Sequence, residues 1–366
     1  MTVRSPGWAV VALLLTCSPR LASGQEPRAE EARPIPPDQN LPPHVTRLTW
    51  FGERADFSPD GERVLFLSKT FGDAMEAEIE TGIIRNLTAH YAHHGYTRAL
   101  YLANGDILLS GPTEFDPADP GAARTNSWLF VLEPGSNRPP HPLGVKCAEG
   151  PAVSRTTLRI AWSYRGAQFP GEMPRGSSQM HEGEIAYEEG VPTLINRRRI
   201  LDSRDLPFDV TLEPQNFRRP SERELIFSAY DYQGTEVFGL DLETGELTNY
   251  SNAPGVYAEP EGIFPSGEYT TIESDLHDPR GWDYADVYKL ALDGSGRTER
   301  LTHFADVPTY RASNPVISDD GRSMAFQMGR SGVAAGTGYG IFLYDFEKAK
   351  EGEVLDASES PREDDP

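Results

Sequence analysis

Hydrophobic positions along this chain come in short alternating runs, punctuated by Pro, Gly, Asp and Asn. The clearest instance is ADFSPDGERVLFLS, Ala55 to Ser68. It reads as a short apolar strand, a Pro59-Asp60-Gly61 turn, and a second strand with Val64 and Phe66 on one face. Proline presets φ at the first turn position and glycine supplies a positive φ, so a hairpin is predicted. The pattern recurs. Aligned without gaps, Phe57 matches Val153, Phe217, Ile263 and Ile317, while Phe66 matches Trp162, Ile226, Ile272 and Phe326. A further unit, ALYLANGDILLSG from Ala99, fits with one turn residue fewer.

Each hairpin is followed by another, as in AEIETGIIRNLT (77–88) and VYKLALDGSGRTERLT (287–302). Two hairpins make one four-stranded antiparallel sheet. Six such units over roughly 300 residues predict an all-β fold, a six-bladed β-propeller. The sixth unit has GIFLYDFEK (340–348) as its third strand and needs a fourth. HVTRLT (44–49) resembles the closing strands NLT (86–88) and RLT (300–302), so an N-terminal strand is expected to complete the last blade and remove the exposed edges. The competing candidate is GEVLD (352–356). Two longer stretches, Pro112 to Asn126 and Tyr164 to Glu182, are expected to be surface loops.

The hairpin Ser58-Pro59-Asp60-Gly61 with its follow-on to Ser68, the copy SDDG (318–321) and the copy FPSG (264–267) resemble the repeat of TolB-type, WD-repeat-like propellers. The resemblance covers residues 44 to 347 and implies the propeller architecture. Residues 25–43 stand where TolB carries an additional α/β domain. Prolyl oligopeptidase-like peptidases share such propellers, but the chain has no Gly-x-Ser-x-Gly. Oligogalacturonate lyases use a metal held by His residues, and their His-x-His pattern is absent here.

Outside the repeat, Met1 to Gly24 carries Arg4, the apolar run WAVVALLL (8–15) and small residues Ala22 and Gly24. These are expected to form a secretory signal peptide cleaved near Gly24, with lipidation at Cys17 the less favoured reading. Export to the periplasm or beyond follows. Cleavage would leave Cys147 as the sole thiol, without an intramolecular disulfide partner and expected to be buried. Residues 25–43 read as a Pro-rich linker and 348–366 as a solvated acidic tail. The 366 residues hold 56 Asp and Glu against 34 Lys and Arg, a net charge of −22. A nucleic-acid partner would be bound against this repulsion and is excluded; a basic partner surface is favoured.

Four positions before the first-strand apolar residue, the alignment holds Glu53, Glu149, Glu213 and Glu259, with Tyr96 and Ser313 in the other two units. Equivalent positions of a propeller lie on one ring near the channel mouth. The four carboxylates, with Gln215 and Glu261 two residues on, are candidate ligands for a cation such as Ca²⁺. The alternative is that they are solvated or cap local turns. Two positions earlier stand Phe51, His94, Cys147, Thr211, Tyr257 and Arg311. Of these, Phe51, His94, Tyr257 and Arg311 are candidate contacts for a sugar or peptide. The cluster His90, His93 and His94 is a further metal candidate, weighed against solvated or aromatic-packed histidines. The Gly-rich run 332–340 lacks a phosphate-binding ending and is expected to be a flexible loop. The expectation is an exported, monomeric, non-enzymatic binding or scaffold propeller, its ligand an envelope protein or saccharide. The alternative is a metal-dependent, lyase-like carbohydrate-active enzyme using the mouth glutamates and His94.

Overall fold

The computed structural model describes residues 34–333 and 336–359. The expected signal peptide, Cys17, the first part of the linker and the end of the tail lie outside them. The described chain forms six four-stranded antiparallel sheets. Blade 1 starts with the strand Glu53–Phe57 and blade 2 with Arg98–Tyr101. Blades 3 and 4 start with Ala152–Val153 and Thr211–Phe217, and blades 5 and 6 with Ala258–Ile263 and Tyr310–Ile317. First strands of blades 1 and 2, 3 and 4, 4 and 5, 5 and 6, and 6 and 1 touch one another. They therefore form the inner wall of a closed ring, a six-bladed β-propeller.

The strand Val45–Arg47 pairs antiparallel with Ile341–Asp345 and closes blade 6, as its likeness to the other closing strands predicted. The likeness has a physical basis. A hydroxyl at the end of the fourth strand accepts a backbone N–H near the start of the third in five blades. Thr49 accepts from Ile341, Thr88 from Ala74, Ser203 from Ser178, Ser251 from Val237 and Thr302 from Val287, at 2.9–3.2 Å. The alternative closing segment, 352–356, lies instead in helix α2 (Phe346–Glu359). Asp345 starts that helix by accepting the N–H groups of Glu347 and Lys348. Phe346 packs its ring at a tilt against Phe264, and Ala349 packs against the neighbouring core. The tail thus begins as a docked helix. The described end of the linker is also tied down: Pro37 is buried and Asp38 pairs with Arg47 at 2.7 Å.

Six hydrophobic clusters occupy the six seams between neighbouring blades. Between blades 6 and 1, for example, Phe57, Val64 and Phe66 meet Ala325 and Ile341. Removing a buried aromatic ring at such a seam costs about 3–5 kcal/mol. The repeated turns carry the same bonds: Ser58 and Ser318 each donate to the Asp two residues on and accept the N–H five residues on.

Both expected loops are partly regular. Pro112 to Asn126 contains helix α1 (Pro120–Thr125), capped by Asp119 accepting from Ala122. The strands Arg159–Arg165 and Ser178–Glu188 take up both ends of 164–182, because Trp162 and Ser163 continue pairing with His181 and Met180.

Candidate functional site at the channel mouth

The inner strands are built with an extra residue. Pairing in blade 1 jumps from Glu53–Leu67 to Asp56–Leu65, and comparable shifts fall at Pro214/Asn216, Pro260/Gly262 and Ser313/Val316. A β-bulge re-aims the side chain of the residue it inserts. Here Arg54, Glu261 and Asn314 line the cavity at the start of the inner strands, and Gln215 lines the one beneath. Arg54 and Asn314 take left-handed backbone conformations, φ 56° and 47°, sparsely populated by such residues and concentrated at functional sites.

Bulges also correct the ring read from the sequence. Glu53 pairs with Leu67, Glu213 with Ser228, Glu259 with Glu273 and Ser313 with Gln327. The inner strand of blade 2 has no bulge, so the same place is taken by Arg98, opposite Ser110, and not by Tyr96. Tyr96 is buried against Tyr91 instead. One arginine therefore sits in the ring of glutamates, with Glu261 at 3.4 Å. Burial works against its charge, but Glu261, Glu213 and Glu259 outweigh burial and strengthen the guanidinium's hold on its proton. Gly150 makes room, since a Cβ there would lie 2.6 Å from Arg98 Nε.

Glu53, Glu149, Glu213 and Glu259 do converge on one cavity of about 280 Å³, together with Tyr257 and Arg311. The structure adds residues the alignment had not placed there: Glu273, Tyr230, Trp282 and the arginines 54, 98, 124 and 165. Six glutamates and five arginines line the mouth, so it is nearly balanced in charge, and not an acidic ring. Arg124, from helix α1, and Arg165 clamp Glu149 at 2.8 and 3.3 Å. Burial pushes the Glu149 carboxyl up, but these two arginines outweigh it and hold it below its ordinary range. Glu53 accepts from the Thr70 hydroxyl and has Arg54 at 3.6 Å.

The other carboxylates behave differently. Glu213 accepts from the Gly150 N–H and from Tyr230, and burial, then the Glu149 charge, push it up. Glu259 accepts from Tyr230, Tyr257 and Gln215, and burial with Glu261 and Glu213 push it up to about 8. Burial raises Glu261 to about 7 against the pull of Arg98. Burial and Glu259 raise Glu273 to about 7. Carboxylate oxygens of Glu259, Glu261 and Glu273 approach within 4.8 Å of one another. The set dense enough to share a cation or a proton thus contains only Glu259 of the four proposed from the alignment. Glu149, its oxygens taken by two arginines, does not suit a Ca²⁺ site.

Below the mouth the channel narrows. Arg54, Arg98 and Glu261 line both the mouth and a smaller cavity of about 60 Å³ beneath it, and so form the waist between them. Further down, Arg155 bridges Asp56 and Asp319, and Arg219 also holds Asp319, at 2.8–3.3 Å.

The remaining candidates lie elsewhere. Phe51 is exposed and turns its ring edge onto Phe66. His94 is exposed and lines a separate surface cavity with Tyr91 and Phe130. The histidine cluster does not converge. His90 Nε2 faces the Arg138 carbonyl; His93 Nδ1 accepts from the Gly95 N–H while its Nε2 meets Asp73. Cys147 is fully buried, and burial pushes its thiol up to about 12. In the Gly-rich run, Gly336 and Thr337 reach the mouth, and Gly336 accepts from the Thr70 N–H.

No protein-family profile matches the chain, and no curated protein matches it. Its fold is similar to that of a gluconolactonase from Xanthomonas campestris, at 12% identity and a TM-score of 0.54, covering 82% of this chain and 88% of that one. It is also similar to TolB from Acinetobacter baumannii (14%, TM-score 0.44, covering 78% and 63%) and to an oligogalacturonate lyase in complex with manganese (14%, TM-score 0.47, covering 82% and 79%). The chain therefore spans less than two thirds of that TolB structure. At these identities the likeness concerns fold alone. In fold the chain is a six-bladed β-propeller. Among the described residues no helix is long and apolar enough to cross a membrane.

Proposed function

We propose that this chain is an exported ligand-binding propeller and that the channel mouth holds its ligand without converting it. The observation that carries this reading is the mouth cavity itself: about 280 Å³, lined by charged and aromatic side chains, and narrowed beneath by Arg54, Arg98 and Glu261. A concave site with convergent polar groups and perturbed carboxyls is where ligand binding is first sought. Its size suits a terminal group, a side chain or a single sugar unit of an envelope protein or saccharide. Export rests on the apolar leader read at residues 1–24.

One observation favours the enzyme alternative, the close approach of Glu259, Glu261 and Glu273. His94, its other component, lines a different cavity. The test is thermal unfolding of the protein with envelope-derived oligosaccharides and peptides, beside a Glu259→Gln/Arg311→Gln variant. A native-state ligand raises the midpoint by mass action. The expected result is a shift lost in the variant, with the ligand recovered intact. A shift retained in the variant would put the site elsewhere, and conversion of the ligand would favour the enzyme.

A further inference from the structure

The mouth has two chemically unlike walls. On the blade 5 side, Glu259, Glu261 and Glu273 crowd their oxygens within 4.8 Å. Glu259 and Glu273 face each other directly across the sheet, an arrangement of like charges that destabilises a strand pair unless something relieves it. Arg98 pairs with Glu261 alone of the three.

The inner strands of blade 6, packed beside blade 5, and of blade 1 next to it hold arginines with unused donors. The Arg311 side chain is only 5% exposed. It donates from Nη1 to Asp283 at 3.0 Å and lies 3.6 Å over the Trp282 ring. Its Nε has no hydrogen-bond partner among the described residues. Gly329 leaves the space it occupies, since a Cβ there would lie 2.7 Å from that Nε. Arg54 likewise donates no side-chain hydrogen bond among the described residues, its Nε standing 3.6 Å from Glu53. A guanidinium offers five donors, and leaving them unmet in a buried site is costly.

We propose that the mouth binds a compact zwitterion of amino-acid to dipeptide size, its ammonium among Glu259, Glu261 and Glu273 and its carboxylate on Arg311 and Arg54. The inference rests on the mouth being the ligand site. A bare anion would satisfy the arginines and add repulsion beside the glutamates. A metal cation would do the reverse. A ligand with both charges answers both walls and leaves the near balance of six glutamates and five arginines undisturbed. Guanidinium–carboxylate pairing is also the stronger, bidentate kind of charge-assisted bond.

The test is isothermal titration of the purified protein with free L- and D-amino acids and dipeptides, each beside its N-acetylated and C-amidated forms, and with Ca²⁺ and Mn²⁺. The expected result is saturable binding of a free zwitterion, weakened at least about tenfold by either cap. Arg311→Gln should weaken the zwitterion and leave the amidated amine unaffected, whereas Glu273→Gln should do so for the N-acetylated acid; circular dichroism confirms that both variants fold. Capped forms binding as well as free ones would overturn the proposal, as would a divalent cation that binds through Glu273 when no zwitterion does. If envelope fragments still shift the native protein, lose that shift in the Glu259→Gln/Arg311→Gln variant, and no zwitterion binds, the mouth stands as the site and the zwitterion falls. If neither binds there, both readings fall.

Discussion

The carboxyl of Glu273 offers a direct check on the electrostatics of the mouth. The residue is 2% exposed. It accepts from the Asn314 N–H and the Tyr257 hydroxyl, both at 2.9 Å. Burial, and after it the Glu259 charge, raise its pKa from 4.5 to about 7. A carboxyl with a folded-state pKa above its unfolded value stabilises the fold while protonated. That contribution is full below the unfolded pKa and is lost as the pH rises through about 7. At 1.36 kcal/mol per unit, the difference is about 3 kcal/mol in alkaline solution. Glu273→Gln keeps the side chain's size and an acceptor oxygen for Asn314 while removing the ionisation. Without ligand, the variant should therefore match the native protein's stability near pH 4.5 and exceed it by about 3 kcal/mol near pH 9. For a domain of this length that is an upward shift of about 5 °C in midpoint. Thermal unfolding followed by circular dichroism, at constant ionic strength across this range, measures it. A midpoint difference that does not grow with pH would refute the reasoning, because the Glu273 carboxyl would then ionise as readily folded as unfolded.

Three further outcomes follow from the same structure. Thr302→Val removes the hydroxyl that accepts from Val287 and donates to Asp286 at 2.7 Å, and should cost about 1–3 kcal/mol in urea unfolding, the penalty of unmet buried partners. Arg155→Met leaves Asp56 buried without its cation while Arg219 still holds Asp319; a loss of about 3 kcal/mol is expected by the same measurement. Cys147, fully buried and with its thiol pushed up to about 12, should resist iodoacetamide at about pH 8 in the native protein and react only in denaturant, as mass spectrometry would show.

The architecture was legible because it is written locally and repeatedly. Pro59-Asp60-Gly61, the matched apolar positions from Phe57 to Ile317, and the likeness of HVTRLT to NLT and RLT each report a backbone preference or a hydroxyl cap that needs few distant partners. The candidate site was legible in half. Ring glutamates could be aligned because equivalent blade positions share a radius, and Tyr257 and Arg311 came with them. Phe51 and His94 did not, since the loops that carry them pack onto their own blades, with Phe51 on Phe66 and His93 on Tyr96. Glu273 had a usable signal, its place directly across the second strand from Glu259. Arg124 had none, because it reaches the mouth from a short helix inside an apparent loop.

The sequence by itself determined the strand periodicity, the turns and the blade count and narrowed the closing segment to two candidates, since all of these follow from preferences within a few residues and from repetition; the pairing of Val45–Arg47 with Ile341–Asp345 chose between them. Tertiary structure alone decided the charge of the mouth. The bulges at Arg54, Gln215, Glu261 and Asn314 shift the count of inner-strand residues from blade to blade, and blade 2 lacks one, so Arg98 enters a ring that the alignment filled with Tyr96. Whether a glutamate there is clamped by arginine, as Glu149 is, or has its carboxyl pushed up by burial and neighbouring carboxylates, as Glu259 has, depends on side chains arriving from other blades. Burial and Coulomb interactions are set by distance in space, and a sequence alignment carries only distance along the chain.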